Sequence, residues 1–233
     1  MTLRFARPAA LAAAALALAL GACRAEDAPA ARRSVADGAV AAPSAAAAWR
    51  ANPPAGVDLA VAGDSVVVET GPHAILWPAT GQELAPPYTV RAVFEKRHGR
   101  LHEGYGILFG GSGLEGPEAG QVYSYFLVRG DGSFLVKRRQ GAETPVVRDW
   151  TQQAALHRDG EAAGRPNELE VRVGEAEVVF RVNGTEVARV PAAELSLRGR
   201  AGVRTAHEVS LVVRDWTQQA ALHRDGEAAG RPN

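Results

Sequence analysis

From residue 49 onward, the chain consists of short runs of β-branched and aromatic residues that are separated by Gly, Pro and Asp. No helical stripe of apolar residues lies between these runs, and this pattern is typical of antiparallel sandwiches and barrels. We therefore predict an all-β fold, an antiparallel β-sandwich, at residues 49–213. The predicted strands are 65–69, 73–77, 88–95, 105–110, 122–129, 133–139, 168–173, 176–182, 186–190, 201–205 and 208–213.

Two connections between these runs have sequences that favour a particular turn. Asn183 and Gly184 lie between two alternating runs, and this residue pair tolerates the positive φ angles of a type I′ turn. Residues 130–132, Gly-Asp-Gly, separate two further runs in the same way. Both segments therefore predict β-hairpins.

The loop at 130–132 also predicts which residues of its hairpin are paired. A three-residue loop places Tyr125 opposite Lys137 and Tyr123 opposite Arg139. A two-residue loop would mix the cationic side chains with apolar ones, because a slip of one residue moves every side chain to the other face. The preferred register gives an apolar face of Phe126, Val128, Phe134 and Val136 and an aromatic and basic face of Tyr123, Tyr125, Lys137 and Arg139.

The N-terminus has the three parts of a bacterial lipoprotein signal peptide at residues 1–22. Arg4 and Arg7 precede an apolar run, and small residues precede Cys23. The run is too short to cross a bilayer as a helix, which needs about 20 apolar residues. Because Leu-Gly-Ala-Cys at 20–23 resembles a lipobox, we predict that Cys23 is the acylated first residue of the mature protein. An ordinary secretory signal is the alternative.

These features predict a protein that is anchored by lipid to the bacterial cell envelope. Residues 23–48 are rich in Ala and contain almost no large apolar side chain, so we predict a disordered tether. Arg24, where an Asp would favour retention at the inner membrane, indicates the outer membrane by resemblance to Gram-negative lipoproteins. Cys23 is the only cysteine, so no disulfide forms within the chain.

The charge balance bears on the choice of partner. With 26 basic and 26 acidic side chains, the formal net charge is zero. No net field attracts the protein to nucleic acid, and we predict no nucleic-acid partner.

An exact repeat occurs in the chain. Residues 146–167, VVRDWTQQAALHRDGEAAGRPN, recur at 212–233 without a change. Old repeats drift in sequence, and two copies at unrelated places in a sandwich do not make a solenoid. A recent duplication or an error in the gene sequence explains the identity. We predict that residues 214–233 form a disordered tail without a function.

A resemblance to the concanavalin A-like lectin and glucanase superfamily is carried by three segments, HEGYGILFGGSGLEG, YSYFLVRGDGSFLVKRR and NELEVRVGEAEVVFRVNGTEVA. Within it, residues 49–213 look most similar to bacterial lipoprotein domains related to the DUF1080 (3-keto-disaccharide hydrolase) and laminin G-like groups. The resemblance implies a jelly-roll sandwich with a ligand on the concave face of one sheet. For this chain, it implies a ligand surface around Tyr123, Tyr125, Lys137 and Arg139.

Histidines and one tryptophan are further candidates for binding. His73 and Trp77 share a predicted strand, and we predict that they face the ligand. His98 and His102 have a spacing that would suit zinc on a helix, but neighbouring glycines place them in a loop. We predict no metal and no cofactor.

Two functions from different classes remain open. A non-catalytic module would bind a glycan or another envelope component on the aromatic and basic face, because rings stack on sugars and cations donate hydrogen bonds. A glycoside hydrolase acting on a modified disaccharide is the alternative. The Glu-x-Asp-x-x-Glu strand of the superfamily's glucanases is absent, and Glu168 with Glu170 is the nearest carboxylate pair. The missing motif favours the binding module.

Overall fold

Two seven-stranded antiparallel sheets pack face to face in the computed structural model, which describes residues 48–160 and 165–220. The predicted fold class is confirmed. In chain order, the strands are β1 (Trp49–Asn52), β2 (Val57–Ala62), β3 (Ser65–Thr70), β4 (Ala74–Pro78), β5 (Tyr88–His98), β6 (Gly104–Ser112), β7 (Val122–Arg129), β8 (Ser133–Gln140), β9 (Val146–Gln152), β10 (Asn167–Val173), β11 (Glu177–Val182), β12 (Thr185–Pro191), β13 (Arg200–Thr205) and β14 (Val209–Ala220).

The two sheets differ in which strands they contain. The front sheet has the order β1-β4-β13-β6-β7-β8-β9, and the back sheet has the order β12-β11-β10-β5-β14-β3-β2. The sequence did not predict β1, β2 or β9, all of which lie at sheet edges. An edge strand pairs on one side only and remains partly exposed, so its residues need not form an apolar run. In β9, for example, every residue is exposed or only partly buried.

The core lies between the sheets and confirms the predicted register of the β7–β8 hairpin. Tyr125 pairs with Lys137, and Tyr123 pairs with Arg139. Each member of the predicted apolar face is buried in the core between the two sheets; these residues are Phe126, Val128, Phe134 and Val136. The side-chain alternation of a strand then turns both tyrosines to the outside of the front sheet.

The hairpin between β11 and β12 has the predicted type of turn. Asn183 and Gly184 have φ angles of 49° and 80°, which the type I′ geometry requires. The Asn183 side chain also accepts a hydrogen bond from the backbone N–H of Glu168 at 2.8 Å and donates one to the carbonyl oxygen of Ala155 at 2.7 Å. This turn therefore fastens the hairpin to the connection before β10.

The hydrogen bonds of Asn183 predict a stability effect. Replacing Asn183 with Gly keeps the positive φ angle available but removes every hydrogen bond of the side chain, and we expect a loss of about 1 to 3 kcal/mol in the free energy of unfolding. Replacing Asn183 with Ala adds backbone strain and should cost more. Urea unfolding of the three proteins measures both effects. Equal stabilities of the wild type and Asn183→Gly would contradict the prediction.

The predicted tail boundary is wrong for residues 214–220. Strand β14 continues to Ala220, and residues Thr217 to Ala220 pair with β5. The ring of Trp216 packs edge-on against the ring of Trp49 with their centroids 5.4 Å apart. This part of β14 extends beyond the end of β3 and pairs only with β5. Polar residues are able to form it for this reason.

The predicted signal peptide, the predicted acylation site at Cys23 and residues 23–47 of the predicted tether lie outside the described residues, as do residues 221–233. Within 48–160 and 165–220, no helix has the length and apolar character that crossing a membrane requires.

Candidate functional site

The outer face of the front sheet has an apolar cluster of its own, separate from the core. It contains aromatic and aliphatic side chains from β4, β6, β7 and β8 and from the loop after β6, and Trp150 of β9 packs against it. We call it the outer cluster, and its buried members are Ile75, Trp77, Leu108, Leu114, Tyr123, Tyr125, Leu127 and Leu135. The front sheet therefore has apolar residues on both of its faces, and only one of these faces belongs to the core.

The predicted ligand-binding tyrosines belong to the outer cluster, but their rings are covered. Tyr123 is 1% exposed and Tyr125 is 3% exposed. Burial raises the pKa of the Tyr125 hydroxyl, and the nearby Arg204 guanidinium opposes this shift. Lys137, the cross-strand neighbour of Tyr125, stays partly exposed. The face thus has buried rings beneath long cationic side chains.

Arginine side chains lie over three of the rings on this face. The guanidinium of Arg204 is 4.9 Å from the ring centre of Tyr125, and that of Arg139 is 5.8 Å from the ring centre of Tyr123. At the end of β7, the guanidinium of Arg129 lies 4.1 Å from the ring centre of a tryptophan in β9. Such cation–π contacts explain why the rings are covered although they point away from the core. We call these three pairs and Lys137 the arginine–aromatic face.

Arg204 is a member of this face that the sequence analysis missed. Its neighbours Val203 and Thr205 point into the sandwich, so the alternation of β13 turns Arg204 outward. Its cross-strand neighbour on β6 is Gly106, which has no side chain to separate it from β7. Alternation along the predicted strand 201–205 was the signal that could have identified Arg204.

Trp77 and His73, which the sequence predicted to face the ligand, both lie on this side of the front sheet, but they differ in environment. Trp77 is 1% exposed and belongs to the outer cluster. His73 is partly exposed and lies at the rim, where its Nε2 is 2.6 Å from Oε1 of Glu118. The hydrogen bond with His73 holds the pKa of the Glu118 carboxyl below its usual range.

A polar network at this rim joins β4 to β8. The second carboxylate oxygen of Glu118 accepts a hydrogen bond from Arg139 at 3.2 Å, and Arg139 also donates to the carbonyl oxygen of Gly141. The ring of His207 packs edge-on against His73. A cavity of about 270 Å³ lies beside this network and reaches the ring of Tyr123. The rim therefore combines a shallow cavity with fixed charged groups.

Several side-chain N–H groups on this face are buried without a hydrogen-bond acceptor in the described part of the chain. They are Nε1 of Trp77, Nε of Arg139, and both Nε and Nη1 of Arg204. A buried donor without a partner costs about 1 to 3 kcal/mol, and native proteins contain few of them. Four such N–H groups therefore lie on the outer face of the front sheet.

The candidate catalytic carboxylates lie on the other sheet. Glu168 and Glu170 belong to β10 of the back sheet. Glu170 is 2.6 Å from the guanidinium of Arg172, and Glu168 is 3.7 Å from that of Arg91. These ion pairs give both carboxylates a structural role on a surface distant from the outer cluster. Across the described ranges, no group of three or more His, Cys, Asp or Glu residues is arranged to hold a metal ion.

Comparison with known proteins shows similarity of fold alone. No family model and no curated protein matches the sequence. CBM66, a carbohydrate-binding module from Bacillus subtilis, has a TM-score of 0.58 and 8% identity over 74% of this chain and 96% of the module. A Bacillus subtilis protein of unknown function with a galectin-like fold has a TM-score of 0.57 and 13% identity, over 73% of this chain and 88% of its own.

A third similar structure is the carbohydrate recognition domain of Emp47p. Its TM-score is 0.53 at 12% identity, and the match covers 74% of this chain and 88% of that domain. All three matches span most of the length of the similar protein. The chain therefore has a galectin-like β-sandwich fold of two sheets.

Proposed function

We propose that this domain binds carbohydrate on the outer face of its front sheet and does so without catalysis. The observation that carries the proposal is the set of unpartnered N–H groups of Trp77, Arg139 and Arg204 beside aromatic rings. A sugar offers hydroxyl oxygens as acceptors and C–H groups that stack on rings. One face thus provides both kinds of contact that a saccharide needs.

The cationic side chains are the first groups that a ligand meets. Lys137 and Arg204 are partly exposed, whereas the tyrosines beneath them are buried. Long side chains of this kind change rotamer at low cost, so a ligand that displaces Arg204 from Tyr125 gains access to the ring. Binding would then satisfy donors that the free protein leaves without an acceptor.

The absence of catalysis is inferred from where the carboxylates lie. A retaining glycosidase needs two carboxyl groups about 5 Å apart beside the sugar, and an inverting one needs them about 6.5 to 9.5 Å apart. At the rim of the arginine–aromatic face, Glu118 is held by His73 and Arg139. A carboxylate that is held by a histidine and an arginine and whose pKa is lowered is a poor general acid.

A single experiment separates the binding module from the hydrolase. The purified full chain is tested on a glycan array, and each glycan that binds is then incubated with the protein and analysed for cleavage. We expect retention of at least one glycan and no products. Products that accumulate with enzyme concentration would overturn the non-catalytic proposal and would favour the hydrolase.

The tryptophans of the chain provide a matched test of the site. Trp77→Phe removes the indole N–H from the outer cluster, and Trp216→Phe removes a similarly buried and unpartnered N–H beside the core between the two sheets. We expect Trp77→Phe to weaken glycan binding about tenfold, since a lost hydrogen bond is worth about 1 to 2 kcal/mol. Trp216→Phe should bind as the wild type does. Calorimetry with the glycan that the array identifies measures both, and equal effects of the two variants would remove the proposed site.

We also propose that the domain is displayed on the cell envelope by a lipid on Cys23. The lipobox-like sequence at 20–23 and the Ala-rich residues that follow it support this proposal. A binding module on a tether is able to reach glycans around the membrane to which it is anchored.

A further inference from the structure

The charges on the arginine–aromatic face are unequal, although the whole chain has a net charge of zero. Arg129 is paired with Asp131 at 2.8 Å, and Arg139 is paired with Glu118 at 3.2 Å. Within the part of the chain that the structure describes, neither Arg204 nor Lys137 has a carboxylate within 4.0 Å. The excess positive charge is therefore located at the middle of the face.

Tyr125 lies between these two uncompensated cations. Lys137 is its cross-strand neighbour on β8, and the Arg204 guanidinium lies 4.9 Å from its ring centre on the opposite side. The Nε and Nη1 atoms of Arg204 are buried and have no acceptor. Each of these two donors shares an edge of the planar guanidinium with Nη2, and such an edge is suited to the two oxygens of an anionic group.

We propose that the ligand of this face is an acidic saccharide, whose carboxylate or sulfate group binds between Arg204 and Lys137 above Tyr125. This inference rests on the proposed carbohydrate binding and adds the class of sugar to it. A neutral sugar would satisfy the N–H groups but would leave both partly exposed cations without a counter-charge. An acidic sugar satisfies the donors and balances the charge at the same time.

The choice of polysaccharides makes the test specific for charge. Polygalacturonate is compared with its methyl ester, and dextran sulfate with dextran, so that each pair differs in its anionic groups. The full chain should bind at least one acidic polymer about tenfold more tightly than its neutral counterpart, and high salt should reduce that difference. The two acidic polymers distinguish a carboxylate ligand from a sulfate ligand.

Three variants test the residues. Arg204→Gln should weaken binding of the acidic polymer about tenfold and weaken binding of the neutral one less, because only the acidic polymer loses a charge-assisted hydrogen bond. Glu118→Gln should strengthen binding of the acidic polymer several-fold, because it removes the carboxylate that neutralises Arg139. Arg198→Gln removes an exposed arginine from the connection before β13 and should change neither. Circular dichroism shows that each variant is folded.

The outcomes distinguish the two proposals. Opposite effects of Arg204→Gln and Glu118→Gln on the acidic polymer support an acidic saccharide, since a purely structural role would not give opposite signs. Equal affinities for acidic and neutral polymers would overturn the acidic class of ligand and leave the proposal of carbohydrate binding in place. An Arg204→Gln protein that binds the acidic polymer as the wild type does would have the same consequence. If the folded wild type binds none of these polymers and no glycan on the array, the proposed function itself fails and this inference with it.

Discussion

A chain that ends at Val213 is expected to unfold at a temperature about 10 °C below that of the full chain. The shortened chain loses the pairing of residues 217–220 with β5 and the contact of Trp216 with Trp49. Removing a packed Trp side chain costs about 3 kcal/mol or more, and each kcal/mol lowers the midpoint of a chain this long by about 2 to 4 °C. Thermal unfolding followed by circular dichroism measures the difference.

The matched control for this truncation is a chain that ends at Ala220. It keeps every described residue of β14, so its midpoint should stay within a few degrees of the full chain. Trp216→Ala in the full chain should reproduce a large part of the effect of ending at Val213. Identical midpoints for the chains ending at Val213 and Ala220 would show that the last part of β14 contributes nothing to stability.

Replacing Cys23 with Ser is expected to abolish lipid attachment and release the protein from membranes. The thiol of Cys23 is the only one in the chain, so no other cysteine is able to accept the lipid. Several acyl chains bind a protein to a membrane almost irreversibly, at about 0.8 kcal/mol for each buried methylene. Labelled palmitate in the variant, or an unchanged share of protein in the membrane fraction, would contradict the lipoprotein proposal.

A second variant separates acylation from sorting. Arg24→Asp leaves Cys23 in place and should keep the lipid, while moving the protein from the outer to the inner membrane if the proposed envelope location is right. Fractionation of the two membranes by density measures the change. A protein that keeps its lipid and its original membrane fraction would remove the argument that is based on Arg24.

Hairpin register is the structural feature that the sequence predicted in most detail. The Gly-Asp-Gly loop and the alternation on both sides of it were enough to pair Tyr125 with Lys137. Only one register gathers the apolar side chains of this hairpin on a single face, and a one-residue slip would turn all of them outward. Four members of the candidate site, Tyr123, Tyr125, Lys137 and Arg139, followed from this argument as residues that share one face.

How these four residues are covered could not be predicted from the sequence. Tyr125 of β7 is buried because the side chain of Arg204 reaches over it from β13. Both β7 and β13 are neighbours of β6, and they do not pair with each other. The order of strands in a sheet depends on how the chain connects segments that are distant in sequence. The alternation of side chains within one strand does not indicate this order. For the same reason, the sequence did not identify the rim network of His73, Glu118 and Arg139, whose members come from three separate segments.

The exact repeat separates what the sequence determines from what tertiary structure decides. The segment VVRDWTQ is a strand in both copies, in β9 and in β14, because its β-branched and aromatic residues favour extended backbone. Its side chains nevertheless have different environments. Val146 is 51% exposed at the edge of the front sheet, whereas Val212, the same residue of the second copy, is 4% exposed inside the back sheet.

The tryptophans of the repeat differ in the same way. Trp150 packs against the outer cluster beneath the guanidinium of Arg129, and Trp216 packs against the core beside Trp49. The sequence by itself thus determined eleven of the fourteen strands, with their alternation and turns, since these depend on residues that are close in the chain. Tertiary structure decided which strand lies next to which, and therefore which of two identical side chains packs against the core and which packs against the outer cluster.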